Sequence, residues 1–163
     1  MVLDGRVSAV VPAWMLGDGE YVGLGVGDRV RTGFALAVTS TQPGGAARLD
    51  QAADRPGLTT VGGRTDAAGG TTILRCDVWV FVLLASGRVT PDAELSAEGW
   101  LTVEPYLWAA GGVLADAVPE GVADWTVARV RQVDDAARDL DRLPRAAAAD
   151  PDAAYVLDLA GRG

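Results

Sequence analysis

Apolar and polar residues alternate along this chain in short bursts, separated by stretches rich in Gly, Pro, Asp and Ala, and helical periodicity is scarce. In GVGDRVRTGFALAVTS, Val30, Phe34, Leu36 and Val38 share one parity. Asp28, Arg29, Arg31 and Gly33 supply the polar or small positions around them, which predicts a strand over 29–39. The segment TTILRCDVWVFVLLA (71–85) is dense in β-branched and aromatic residues. Leu74, Cys76, Val78, Val80, Val82 and Leu84 form one apolar face, and the opposite face turns apolar at Trp79 and Phe81. It reads as one central strand whose second half is covered on both sides. The same logic predicts strands at 5–14, 99–107, 125–133 and 154–159. About six strands and few helices define an all-β class. A single small barrel of the OB or SH3 kind, spanning 1–163 as one domain, removes the exposed edges most economically.

Two segments interrupt the alternation. Residues 41–70 hold seven glycines and two prolines, which predicts a long mobile loop. Residues 134–152 predict a short helix and a linker: Asp134 and Arg138 are spaced as a helical ion pair, Leu140 and Leu143 share a helix face, and Pro144 ends the run.

Composition narrows the chemistry. The 163 residues include no His, no Lys and no Asn, and all 14 cations are Arg. Histidine bases, Schiff-base lysines and His-dependent triads are therefore absent, and Ser8, Ser40, Ser86 and Ser96 lack a GxSxG context. The one cysteine, Cys76, can form neither an internal disulfide nor a zinc site by itself, and its place on an apolar face predicts a buried small hydrophobe. No metal and no cofactor is expected. The carboxylates Asp134, Asp135, Asp139, Asp141, Asp150 and Asp152 lack EF-hand spacing and read as a solvated acidic run. Asp77 and Glu104 could serve paired-carboxylate chemistry in a barrel mouth, but Arg75 offers Asp77 a simple ion pair.

The net charge is −8, and all of the excess lies in one part: residues 1–90 carry 8 Arg against 8 acids, residues 91–163 carry 6 Arg against 14 acids. An acidic chain without a basic stripe is a poor match to nucleic acid. The longest apolar run, 78–85, is far below the ~20 residues that cross a bilayer, and the start MVLDGRVSAVV lacks the features of a signal peptide. A cytoplasmic protein that binds neither nucleic acid nor membrane is the expectation. The glycines of YVGLGVGD lead into a strand rather than a helix, so they read as a turn between strands and not as a phosphate loop.

Aromatic residues offer the positive signal. Trp100 and Tyr106 share strand parity with Glu104, which would make an aromatic face holding a carboxylate. The alternative is that Trp100 or Trp108 plugs the barrel. The following PYLWAAGGVLADAVPEGVADW places Trp108, Val113 and Leu114 in an apolar loop ahead of Trp125, the best partner-contact candidate. The chain resembles, through Trp14 with VGLGVGDRV and through GWLTVEP with WTVARVRQV, the uncharacterised small-barrel domains of actinobacteria. That resemblance implies a β-barrel and no catalytic motif. The leading expectation is a non-enzymatic barrel that binds a protein partner through Trp100, Glu104, Tyr106, Trp108, Val113, Leu114 and Trp125, with an acidic rim. The alternatives are an immunity- or inhibitor-type protein that covers a basic partner, and a carboxylate-dependent enzyme or small-ligand barrel.

Overall fold

The computed structural model describes residues 5–145 and 148–161. Strands take 53% of the chain and helical turns 9%, so the all-β expectation stands. Among the described residues the sheet has eleven strands where about six were expected. In chain order they are β1 (Arg6–Val11), β2 (Arg29–Thr32), β3 (Phe34–Pro43), β4 (Arg48–Gln51), β5 (Leu58–Ala68), β6 (Thr71–Cys76), β7 (Trp79–Leu84), β8 (Glu94–Val103), β9 (Ala123–Val133), β10 (Ala137–Leu140) and β11 (Ala154–Gly161). Short helices α1 (Ala13–Gly17) and α2 (Val113–Ala117) and a 3-10 turn at Pro119–Gly121 complete the described elements.

Five strands close on themselves. β3 pairs with β8 and, in parallel, with β7; β7 pairs with β6, β6 with β5, and β5 returns to β8. Closure brings main chains very near one another. A Cβ on Gly63 would run into the carbonyl of Arg75, so a strand can pass there only without a side chain. An outer sheet continues from this barrel: β1 joins β8 through the single parallel pair Val10↔Thr102, β11 lies beside β1, and β9 lies beside β11. The far edge of β9 is shared end to end by β2 and β10. One apolar core runs through both parts, with Leu36, Val61, Leu74, Phe81 and Leu101 continuous with Val7, Ala9, Val127, Tyr155 and Leu157.

A side chain staples the outer sheet to the barrel. Gln51 of β4 accepts from Ser8 N–H at 2.8 Å and donates its amide to Ser8 O at 2.7 Å, imitating a strand partner for β1. The same amide donates to Thr59 Oγ1 on β5 at 2.9 Å.

Three expectations are corrected. Residues 41–70 are not a loop: they contain the end of β3, all of β4 and all of β5, because β5 faces inward with Thr59, Val61, Gly63 and Thr65 and needs small side chains there. Residues 134–152 hold no α-helix among those described, and 146–147 lie outside them. β10 instead folds back on the open edge of β9, where Arg129 and Asp139 form a two-pronged ion pair at 2.7 and 3.1 Å across the strands. Residues 71–85 are a hairpin, not one strand: Asp77 adopts a left-handed φ of 51° and Val78 is exposed between β6 and β7. Arg75 then bonds Glu120 at 2.6 Å and Asp66 at 3.5 Å rather than Asp77. No helix among the described residues is long and apolar enough to cross a membrane.

Candidate functional site

β8 delivers its chain to two opposite sides of the molecule, and the seven expected contact residues divide between them. Glu104, just past β8, is buried, and its Oε1 accepts from the N–H groups of Tyr106 and Leu107 at 3.0 and 3.1 Å. This is the carboxylate cap of a tight turn. The turn points Tyr106 outward and Trp108 inward.

Trp108 is 3% exposed and its indole N–H donates to Phe34 O at 3.0 Å. With Leu114 and Val118 it covers Ala35, Ile73, Val80 and Val82 on the outer face of the barrel. The slot is cut for the ring: a Cβ on Gly121 would overlap Trp108. Trp125 is also buried, stacked on Trp79 at 5.3 Å and edge-on to Phe34 at 5.3 Å. The expectation that Trp108, Leu114 and Trp125 present a contact surface is therefore corrected, because the apolar loop folds back onto bare sheet that would otherwise meet water. Val113 does remain exposed, on α2.

Trp100 and Tyr106 lie on the other side and are exposed by 39% and 45%. They do not touch each other. Tyr106 stacks on Trp14, 55% exposed, with ring centroids 5.9 Å apart and planes 17° from parallel. The expected strand 5–14 holds Trp14 inside it. β1 instead ends at Val11, three residues earlier, where Pro12 caps the short α1 that lifts Trp14 clear of the sheet. The pattern Pro-Ala-Trp after an alternating run was the available signal.

Two grooves join these aromatics into one band. A groove of about 460 Å³ lies between Trp100 and Pro56 on one side and Val133 and Val156 on the other. A second, of about 540 Å³, lies between Trp14 and Pro151. Val10 and Ala154 line both, so the band runs without a break from Trp100 to the Trp14–Tyr106 pair. Among the described residues no strand edge is open along it. β1 is laddered to β11 over its whole length, β11 to β9, and the free side of Ser8 is taken by Gln51.

The rim is acidic. Tyr106 OH donates to Asp18 Oδ2 at 3.2 Å, and its phenol is pushed above its ordinary range by loss of hydration, then by that bond and by the charges of Asp18, Glu20 and Glu104. Beneath the pair, Tyr21 shares a 2.8 Å hydrogen bond with Thr32, and burial pushes its phenol up to about 12. Asp18, Glu20, Asp134 and Asp152 make no ion pair among the described residues, whereas Asp54 has its neighbour Arg55. Among the described residues no three carboxylate or thiol groups converge as metal ligands would. Cys76 is buried, and its thiol is pushed up by burial and by Asp77. Asp54 and Asp134, the two carboxylates at the Trp100 groove, are both exposed. No family model matches the chain, and no curated protein or solved structure matches it.

Proposed function

We propose that this chain is a non-enzymatic β-barrel module that binds a protein partner through the band from Trp100 to Trp14 and Tyr106. The observation that carries this reading is the exposure of Trp100 and Trp14 along two adjoining apolar grooves, with Tyr106 stacked on Trp14, since such surface is costly to leave in water and aromatic anchors dominate protein contacts. Trp100, Glu104 and Tyr106 keep a part in it, Glu104 by setting the turn that holds Tyr106. Trp14, Val10 and Ala154 are added to them.

The strand pairing supports reading the barrel as a rearranged OB barrel. β5, β6 and β7 form the meander, β7 runs parallel to β3, and β3 with β8 closes it, as though the last strand of that fold had been supplied from the front. Nucleic acid, the frequent ligand of such barrels, is disfavoured by a net charge of −8. The single buried cysteine suits a reducing cytoplasm.

The test is affinity capture from the native cell extract with the wild-type chain, Trp14→Ala and Trp100→Ala over a salt series. A partner lost with either variant and retained in high salt supports an apolar-centred contact. Binding that both variants retain, and that falls steeply with salt, would instead favour an inhibitor-type protein whose acidic surface covers a basic partner.

A further inference from the structure

We infer that the occupant of the band is a proline-rich segment in the extended polyproline II conformation with an arginine at one end; this rests on the protein-binding reading above. Three observations lead there. The site is long rather than deep: two grooves run end to end across the ridge of Val10 and Ala154, which fits an extended chain better than a compact ligand. Among the described residues the walls offer no unpaired strand edge, because β1, β11 and β9 are laddered together and Gln51 occupies Ser8. A partner cannot add as a further strand and must be held by its side chains and ring faces. Polyproline II needs no ladder, since its backbone stays hydrated, and its prolines pack on exposed aromatic rings with little entropy left to lose.

Charge sets the polarity. At the Trp14 end, Asp18 holds the Tyr106 hydroxyl, and Asp18 and Glu20 make no ion pair among the described residues. A guanidinium drawn there by these carboxylates can lie flat on the Trp14 face that Tyr106 leaves open, which an ammonium does less well.

The probe is a synthetic peptide with two prolines at PxxP spacing, alanine elsewhere and a terminal arginine, titrated into the intact chain by heteronuclear NMR and tryptophan fluorescence. Saturable shifts at Val10, Trp14, Trp100, Tyr106 and Ala154 are expected. Affinity should fall at least about tenfold on Trp14→Ala and on replacing the arginine by glutamate, and saturation should vanish when both prolines become alanine. Equal binding by the proline-free peptide, shifts confined to another face, or no saturable shift overturns the inference. If the peptide fails while Trp14→Ala still abolishes capture of a native partner, the band binds protein of another chemistry; if neither depends on Trp14, the band itself is not the site.

Discussion

The two sides of the turn after β8 treat large aromatic residues in opposite ways. Trp108 lies in a slot against Gly121, spends its N–H on Phe34 O and seals the outer face of the barrel. Tyr106, held by the same Glu104 cap, lies against another exposed ring and spends its hydroxyl on an exposed carboxylate. One side closes a surface and the other displays one. Number and type of aromatic residues therefore say little here: Trp108 is held inside by a main-chain partner and Tyr106 outside by an ionised one, while Trp125 is buried on ring contacts alone, its N–H without a partner among the described residues.

The sharpest way to break this contrast is at Trp108. Trp108→Ala leaves Val80, Val82 and Ile73 uncovered and removes the hydrogen bond to Phe34 O, and should cost about 3–5 kcal/mol in denaturant unfolding. A loss below about 1 kcal/mol would mean that the loop carrying α2 is not fixed to the barrel. Next in size is an alkaline effect under the displayed side. Tyr21 keeps its proton up to about 12 in the folded chain, against 10.0 when free. The folded state thus binds this proton more tightly, so the stability it contributes is complete below pH 10 and is lost as pH rises from 10 to about 12. The loss should be about 2 kcal/mol, since burial of the phenol is incomplete. Stability measured against pH should flatten in Tyr21→Phe, and an unchanged slope would show that another group causes it.

How much of this is legible from residue order depends on what each strand faces. The alternation over 29–39 hides the break between β2 and β3 at Gly33, and that over 99–107 covers only the second half of β8 and runs on into the turn after it, whereas β9 alternates large apolar with polar residues and announces itself. β5 does not, because closure of the barrel leaves room only for Thr59, Gly63 and Thr65 beside Val61. The two threonine hydroxyls donate to main-chain carbonyls, at Gly57 and at Thr90 and Ala93, so polar residues stand where alternation would demand apolar ones. β10 was hidden by a second ambiguity: the spacing of Asp134 and Arg138 suits a helical pair, yet Arg138 bonds Gln132 and the ion pair that forms joins Asp139 to Arg129 across the strands, an outcome that only the vacant edge of β9 decides. In the site, exposure of Trp100 and burial of Trp108 turn on what lies across the fold, respectively the wall of β9 and β11 and the bare face of β3, β6 and β7. Neither neighbour is near in sequence.

A smaller effect on stability is expected at Trp14, and it separates the two sides. The ring covers no core, so Trp14→Ala should cost less than about 1 kcal/mol while removing partner binding. The melting curve and the binding isotherm should part company there, whereas at Trp108 they should fall together. Equal loss of both at Trp14 would make it another core residue and erase the contrast.

The mildest perturbation is Asp18→Asn, and it isolates the electrostatics from the packing. The amide can still accept from Tyr106 OH, so the stacked pair should persist and the unfolding midpoint should stay within error of the wild type. The negative charge that raises the Tyr106 phenol is gone, however, so its tyrosinate absorbance should appear at lower pH than in the wild type while burial and Glu20 hold it above the ordinary value. An unmoved titration would mean that loss of hydration alone sets the phenol and that the acidic rim exerts little field at the band. A basic end on the partner would then gain nothing from Asp18, and Asp18→Asn should bind the arginine peptide as tightly as the wild type does. If instead the titration falls and the arginine peptide weakens while the glutamate peptide does not, the displayed side reads charge as well as shape, which the sealed side, with its ring bonded to a neutral carbonyl, has no means to do.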